Sequence, residues 1–222
     1  MIKIRPYQLL SIPDAFSDEV KFFMPPPDGT GGLRTLESML LIKLLRVVSP
    51  EFIFEFGTYK GDTTRLLLEN LPESGRDPNR ERIYTLDLPD VKDVMFQGSD
   101  RILAEQAVGF KRKYQTSTRR DLVKQILQDS MTFTPEQYLH KYQYIFIDGN
   151  HEVSYAKHDT DNAVQMLASA PSCIIWHDYG NPEFPELTRY LDELSNVMKL
   201  YHVENTMLVF YLLGKDVPPP RS

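Results

Sequence analysis

Cysteine is nearly absent from this sequence, because Cys173 is the one such residue among 222. A single thiol excludes an intrachain disulfide framework. Cys173 opens the apolar run Cys173-Ile174-Ile175-Trp176, where the sulfur is expected to serve as a small buried hydrophobe. A catalytic thiol is the less favoured interpretation.

Long apolar runs are also missing. No stretch approaches the length of about 20 apolar residues that spans a bilayer, and the segment from Met1 to Pro6 lacks the apolar centre of a signal peptide. The sequence therefore favours a cytoplasmic protein without a membrane partner. The sequence does not exclude that the protein forms a homo-oligomer.

Positive charge is in short supply, with 25 Lys and Arg against 31 Asp and Glu and a formal net charge of -6. This balance disfavours a nucleic-acid partner, which normally requires a basic face. The basic segment from Phe110 to Arg120 is a local exception. We interpret it as a solvated loop, although a cover that attracts an anionic acceptor is the alternative.

Short β-prone apolar runs alternate with helical patterns along most of the chain, which predicts a parallel sheet with helices on both faces. The last two runs, 199–203 and 207–213, are separated by three residues. So short a link requires an antiparallel hairpin, because a parallel crossover needs about a dozen residues or more. The fold class is therefore α/β, with a mostly parallel seven-stranded sheet that ends in an antiparallel hairpin. We expect an N-terminal extension over 1–32, one domain over 33–214 and a disordered tail over 215–222.

Acidic residues mark the ends of the predicted parallel strands. Ligands of such sheets bind outside the carboxyl ends of the strands, so these side chains are expected to share one rim. They are Glu55, Asp87, Asp129, Asp148 and Asp178.

The first of these acids belongs to the pattern Glu55-x-Gly57-x-x-x-Gly61 between a strand and a helix. The two glycines allow a sharp turn and a close approach of the backbone to a ligand. Glu55 places negative charge where a phosphate-binding loop avoids it, which suits S-adenosylmethionine, a cation with an amino-acid portion. Asp87, at the next strand end, can accept hydrogen bonds from ribose hydroxyls.

Several stretches resemble motifs of a bacterial family of class I S-adenosylmethionine-dependent methyltransferases that act on small molecules. Phe54 to Thr64 resembles the first motif of that family, and Tyr144 to His151 and Ile174 to Tyr179 resemble the motifs of the fourth and fifth strands. Gln128-Asp129-Ser130 is similar to Gly-Asp-Ser, with Gln128 in place of the glycine. The resemblance runs from about Leu33 to Leu213 and implies a Rossmann-like methyltransferase fold.

The resemblance also implies a cofactor site for S-adenosylmethionine. The residues that follow the first strand would contact the methionine portion, Asp87 the ribose, and Asp129 and Ser130 the adenine edge. The complete implied set is Glu55, Gly57, Thr58, Tyr59, Gly61, Thr63, Asp87, Asp129, Ser130 and Asp148.

Methyl transfer to a hydroxyl requires a base, a metal or both. Asp148 and His151 follow the fourth strand, and His177 and Asp178 follow the fifth, so the four are expected to meet. By resemblance Asp148 and Asp178 would hold Mg²⁺, and His151 would be the general base. Asp148 is therefore expected to be a catalytic residue as well as a metal ligand. We add His177 as a third ligand, and its imidazole favours Mn²⁺, Fe²⁺ or Zn²⁺ over Mg²⁺.

Simpler interpretations of these residues remain open. Asp148-Gly149 could be no more than a turn, and His177 could orient Asp178 through a hydrogen bond. Tyr155, His158 and Asp159 share a helical face with His151, where they could line the acceptor pocket; for His158 a solvated position is favoured.

The favoured function is O-methylation of a hydroxylated small molecule, such as a sugar or a natural product. Two alternatives stay open. One is a nicotinamide-dependent oxidoreductase of Rossmann type, which Glu55 and the terminal hairpin disfavour. The other is a non-catalytic protein that retains the methyltransferase fold.

Overall fold

The computed structural model describes residues 1–14, 19–24, 32–72, 80–92, 96 and 98–220. Strands of three to five residues in these ranges pair into one sheet. In chain order they are β1 (Ile2–Ile4), β2 (Ile53–Phe56), β3 (Ile83–Asp87), β4 (Val123–Leu127), β5 (Tyr144–Ile147), β6 (Ser172–Trp176), β7 (Leu200–Val203) and β8 (Val209–Leu213).

The spatial order of the sheet is β1-β7-β8-β6-β5-β2-β3-β4. Strands β2 to β6 pair in parallel, whereas β8 runs antiparallel to both β6 and β7. The predicted mostly parallel sheet with a terminal antiparallel hairpin is therefore confirmed. The order changes direction between β2 and β5, which is where sheets of this kind bind their ligands.

An eighth strand was not predicted. Strand β1 pairs in parallel with β7, so that Ile2 lies opposite Tyr201 and Ile4 opposite Val203. A strand of three residues is too short for its alternation to be recognised. Residues of the N-terminal extension thus belong to the sheet.

The predicted disordered tail makes contacts over part of its length. Val217 packs against the apolar core, and the side-chain amide of Gln8 donates a hydrogen bond of 2.8 Å to the Pro218 carbonyl oxygen. Arg221 and Ser222 lie outside the described residues.

Helices cover both faces of the sheet. Successive residues of a strand point to opposite faces: Tyr144 and Phe146 enter one apolar cluster, while Ile145 and Ile147 enter the other. Within the described ranges, no helix combines the length and the apolarity that crossing a membrane requires. The helices are α1 (Pro6–Leu10), α2 (Thr35–Val48), α3 (Asp62–Glu69), α4 (Gly98–Ala107), α5 (Val153–Met166) and α6 (Pro185–Leu194).

Candidate active site

A cavity of about 500 Å³ opens beyond the carboxyl ends of β2, β3, β5 and β6. This volume is typical of small-molecule and cofactor sites. Its wall is rich in carboxyl groups, and the basic side chains among its lining residues are Arg34, His151 and His177. The acidic lining residues are Asp87, Asp100, Asp129, Asp148, Asp159, Asp178 and Glu183.

The loop that follows β2 forms one wall of the cavity. Gly57 has a φ of +92°, and a Cβ atom there would overlap the carbonyl group of Asp148. The two loops are this close because β2 and β5 are neighbours, with Phe56 opposite Ile147. Glycine is therefore required by both the backbone conformation and the available space.

Glu55 lies behind this wall and not in it. Its side chain is fully buried, and its Oε2 atom accepts hydrogen bonds of 2.5 Å from the hydroxyls of Thr64 and Thr85. Burial raises the pKa of Glu55 to about 8 against these hydrogen bonds, and the charges of Asp148 and Asp87 add to the rise. The carboxyl group is therefore mostly neutral at pH 7.

The predicted cofactor residues divide into two groups. Glu55, Thr58, Gly61 and Thr63 are not among the residues that line the cavity. Thr58 forms a hydrogen bond instead with the hydroxyl of Thr85, and Gly61 lies just before α3, close to the side chain of Tyr114. The six that do line the cavity are Gly57, Tyr59, Asp87, Asp129, Ser130 and Asp148.

Asp87 is held in place by a residue that the sequence did not indicate. Arg112 is buried and donates a hydrogen bond of 2.9 Å to Asp87 Oδ2, while the Leu88 amide donates to Oδ1. Burial raises the pKa of Asp87, and the nearby guanidinium opposes this rise. The solvated-loop interpretation of the basic segment is therefore wrong for Arg112 and for Tyr114, which packs in the core.

A second carboxyl group lies near Asp129 and Ser130. Asp159 is 1% exposed, and its pKa is raised to about 7 by burial, with a further contribution from the charge of Asp129. Tyr155 lines the cavity beside it, whereas His158 lies within hydrogen-bond distance of the Phe133 carbonyl oxygen, 3.2 Å from Nε2, and does not line the cavity. Tyr155 and Asp159 therefore face the predicted adenine end of the cavity.

Asp148, His177 and Asp178 come together as predicted, and their candidate ligand atoms lie within 4.8 Å of one another. The parallel pairing of β5 with β6 places Ile147 opposite Trp176, so the residues after both strands are adjacent. His177 Nδ1 is 3.2 Å from Asp148 Oδ1 and 3.0 Å from Asp178 Oδ2. Two carboxylates and an imidazole form a donor set that fits Mn²⁺, Fe²⁺ or Zn²⁺.

Glu37 approaches His177 from the first turn of α2, and the sequence analysis did not identify it. Its carboxylate is fully buried, with Oε2 3.4 Å from His177 Nε2 and Oε1 accepting the Met207 amide at 2.8 Å. A carboxylate on Nε2 leaves Nδ1 directed toward Asp148 and Asp178, which is the arrangement of a metal-binding histidine with its supporting acid. The one feature of the local sequence that marks Glu37 is its position three residues after Arg34, where a capping box places an acid. This feature predicts the start of a helix and no contact with His177.

The charge of His177 follows from the same neighbours. Burial alone would lower its pKa, but Asp148, Asp178 and Glu37 together raise that pKa well above its ordinary value. The three carboxyl groups therefore favour the positively charged form of the ring, which would balance part of the surrounding negative charge. A divalent cation would supply that positive charge instead.

His151 is held from three sides. Its Nδ1 is 2.6 Å from Asp100 Oδ1, its Nε2 is 2.9 Å from Asp178 Oδ2, and its ring stacks on Phe184 at 3.9 Å. Burial would lower the pKa of His151, but the hydrogen bonds with Asp100 and Asp178 raise it to about 10. The imidazole is therefore protonated at neutral pH while both carboxylates face it.

Comparison with known protein families identifies one family that this sequence matches. A model described as a methyltransferase domain matches residues 54–179, which include the loop after β2, the β5 and β6 motifs and most of the acidic cavity wall. No curated protein matches the sequence.

Solved structures share the fold at low identity. The methyltransferase PaMTH1 of Podospora anserina, bound to S-adenosylhomocysteine, is 22% identical, with a TM-score of 0.54 over 86% of this chain and 83% of that one. The O-methyltransferase NovP is 16% identical, with a TM-score of 0.58 over 81% of each chain. CalS11, described as a TDP-rhamnose 3'-O-methyltransferase, is 16% identical, with a TM-score of 0.51 over 82% of each chain.

The family match covers more than half of the sequence, and the predicted methyltransferase class is thereby confirmed. This chain belongs to the methyltransferase-domain family.

Proposed function

We propose that this protein binds S-adenosylmethionine in the acidic cavity and transfers the methyl group to a hydroxyl of a small acceptor, such as a sugar or a natural product. The observation that carries the proposal is the cavity wall, in which the Gly57 backbone and six aspartates and one glutamate surround a space of cofactor size. A sulfonium cation with an amino-acid portion matches this charge. A dinucleotide carries phosphates and does not.

The cofactor would extend along the rim from β2 to β4. Gly57 and Tyr59 would contact the methionine portion, and Asp87 would accept hydrogen bonds from the ribose hydroxyls. Arg112 fixes the orientation of Asp87, because it donates a hydrogen bond to one carboxylate oxygen, and its positive charge opposes the rise that burial causes in the pKa of Asp87. Asp129 and Ser130 would contact the adenine edge.

Asp148 is placed to join the two halves of the site. It lies beside the Gly57 loop on one side and His177 on the other. The methyl donor and the acceptor oxygen would therefore meet near Asp148, which is the alignment that in-line displacement requires. In that step the new O–C bond forms as the C–S bond breaks, the acceptor loses a proton, and S-adenosylhomocysteine leaves.

Asp148, His177 and Asp178 would hold a divalent metal ion, with Mn²⁺ better suited than Mg²⁺ to the imidazole. When bound, such an ion supplies positive charge beside the acceptor oxygen and lowers the pKa of the acceptor hydroxyl. Glu37 would keep the His177 ring in the orientation that directs Nδ1 toward the ion.

His151 is the proposed general base. Asp100 holds its Nδ1 and also accepts its backbone N–H at 3.1 Å, so Nε2 is directed toward the reacting region. Asp178 lies 2.9 Å from Nε2, and this contact favours a proton on Nε2. The base function therefore requires that Asp178 be engaged elsewhere, which ligation of a metal would achieve.

The structural relatives are consistent with this acceptor class. NovP is described as an O-methyltransferase and CalS11 as acting on TDP-rhamnose. Neither description identifies the acceptor of this chain. Both favour a hydroxylated acceptor for the first screen.

A methyl-transfer assay tests the proposal. Labelled S-adenosylmethionine would be incubated with panels of sugars, nucleotide sugars and phenols, after chelation of metals and after addition of Mn²⁺ or Mg²⁺. We expect labelled product that depends on the metal and falls at least about 100-fold in Asp178→Asn, because general acid-base and metal contributions are of this order. The exposed Asp161→Asn is the matched control and should retain activity.

Two results would contradict parts of this assignment. Full activity in the presence of a strong chelator would exclude the metal, and unchanged turnover in His151→Ala would exclude the base. Binding of NADH without binding of S-adenosylmethionine would favour the oxidoreductase alternative.

A further inference from the structure

A second recess adjoins the acidic cavity, between the loop after β6 and the turn that connects β7 with β8. Arg34, Asn181 and Met207 line both spaces, so the two share one boundary. At this boundary the side-chain amide of Asn181 donates a hydrogen bond of 2.7 Å to Asp178 Oδ1. The cofactor would lie over β2, β3 and β4, on the other side of β5 in the sheet. The recess therefore opens on the side that the cofactor leaves to the acceptor.

Glu37 holds the boundary of the recess against the reaction centre. Its Oε2 atom accepts the backbone N–H of Arg34 and its Oε1 atom accepts the backbone N–H of Met207, each at 2.8 Å. The same Oε2 atom lies 3.4 Å from His177 Nε2. The position of Arg34 is thus fixed relative to the proposed metal ligands by one buried carboxyl group. Because this contact uses only the backbone of Arg34, it leaves the guanidinium available.

The charge of the lining changes sign across this boundary. Six aspartates and one glutamate line the cavity, whereas none of the described residues that line the recess is acidic. The basic residues of the recess are Arg34 and His202, and His202 Nε2 is engaged by the Thr206 carbonyl oxygen at 3.0 Å. An anionic group would therefore be repelled by the cavity and attracted to the recess.

The guanidinium of Arg34 is the group that could bind such an anion. The side chain is exposed, and within the described part of the chain no residue forms an ion pair or a hydrogen bond with it. Arg112, by contrast, is paired with Asp87 at 2.9 Å. An exposed arginine elsewhere would indicate only a solvated side chain. At this boundary its planar fork faces a space without competing acids, and the fork matches two oxygens of a carboxylate or a phosphate.

We propose that the recess binds an oxyanion group of the methyl acceptor, a phosphate or a carboxylate, and that Arg34 forms an ion pair with it. The acceptor hydroxyl would then reach across the boundary toward Asp148, while the cationic sulfur of the cofactor lies on the opposite side. This inference rests on the proposed function and narrows its acceptor to an anionic, hydroxylated molecule. Arg34 is a binding residue and takes no part in the transfer of the methyl group or of the proton.

Calorimetric titration with simple anions tests this assignment before the acceptor is identified. Pyrophosphate and benzoate would be titrated separately into the full-length protein, freed of metals and of chelator and saturated with S-adenosylhomocysteine. We expect saturable binding of one anion per chain that is at least about tenfold weaker in Arg34→Gln, since a hydrogen-bonded charge contributes on this order. Binding of pyrophosphate alone would identify a phosphorylated acceptor, and binding of benzoate alone a carboxylated one.

Two further variants separate the guanidinium from charge alone. Arg34→Lys keeps the charge without the fork, so it should recover part of the affinity that Arg34→Gln loses. Arg189 is 64% exposed on α6, where it pairs with Glu186. Arg189→Gln removes the same charge away from the recess and should bind both anions as the wild type does. Thermal unfolding should show no loss of stability in Arg34→Gln, because the exposed side chain has no protein partner.

The outcomes distinguish this inference from the proposed function. A wild type that binds S-adenosylhomocysteine but neither anion would overturn the oxyanion site alone. Equal loss of anion affinity in Arg34→Gln and Arg189→Gln would also overturn it, because net charge would then explain the effect. Weaker binding of S-adenosylhomocysteine in Arg34→Gln would assign Arg34 to the cofactor carboxylate instead. A wild type without any affinity for S-adenosylhomocysteine would overturn both the proposed function and this inference.

Discussion

The buried carboxyl group of Glu55 makes a contribution to the stability of this protein whose dependence on pH has a definite sign. Burial raises its pKa to about 8 from an ordinary value of 4.5. Between these two values the folded chain retains a proton that the unfolded chain releases. The contribution of Glu55 to the free energy of unfolding therefore falls as the pH rises through this window.

The magnitude follows from the size of the shift. Each unit of pKa difference corresponds to about 1.4 kcal/mol, so the contribution between pH 5 and pH 8 is on the order of 3 kcal/mol. Glu55→Gln preserves the shape of the side chain and leaves an oxygen to accept the hydrogen bonds from Thr64 and Thr85. It removes the titration, so the variant should gain stability relative to the wild type as the pH rises.

Urea unfolding at pH 5, 6, 7 and 8 measures this difference. Other titrating groups contribute equally to both proteins, so the difference between their free energies of unfolding isolates Glu55. We expect that difference to shift toward the variant by a few kcal/mol across the series. Glu193→Gln, at an exposed position on α6, should give a constant difference. A constant difference for Glu55→Gln as well would refute the reasoning that burial holds this carboxyl group neutral.

Three further substitutions test other parts of the site. Gly57→Ala should abolish binding of S-adenosylhomocysteine in calorimetry, because the new methyl group overlaps the Asp148 carbonyl; normal binding would show that the loop can move aside. Glu37→Gln should weaken Mn²⁺ binding by about tenfold or more without changing the affinity for S-adenosylhomocysteine, as expected for loss of a charge that supports a ligand. Asp100→Asn should lower kcat by about 100-fold with little change in cofactor affinity, because His151 loses its orienting charge; an unchanged kcat would remove Asp100 from the mechanism.

The architecture of the sheet could be predicted from the sequence because it depends on local patterns. The buried strands β2, β5 and β6 appear as short apolar runs, and the length of the link between β7 and β8 alone requires a hairpin. Strand β1 could not be found in this way, since its pairing with β7 depends on residues about 200 positions away.

The acidic rim was predictable for a related reason. Parallel strands end at the same edge, so an acid after each strand implies a shared cleft without any knowledge of side-chain positions. Asp87, Asp148 and Asp178 meet this expectation. The sequence did not reveal the direction of Glu55, because alternation along β2 does not show which residues α3 will cover.

The supporting residues of the site escaped prediction because they come from helices and loops elsewhere in the chain. The residues in contact are far apart in the sequence. Glu37 and His177 are separated by 140 positions, Asp100 and His151 by 51, and Arg112 and Asp87 by 25. Each contact depends on how an element packs over the sheet. No local pattern in a single sequence encodes that packing.

Calorimetric titration of the wild-type protein with S-adenosylhomocysteine, alongside NADH, tests the central claim most directly. The predicted result is saturable binding of one S-adenosylhomocysteine per chain, lost in Asp87→Ala, with no heat from NADH. Binding of NADH alone, or of neither ligand, would contradict the assignment of the acidic cavity to a sulfonium cofactor.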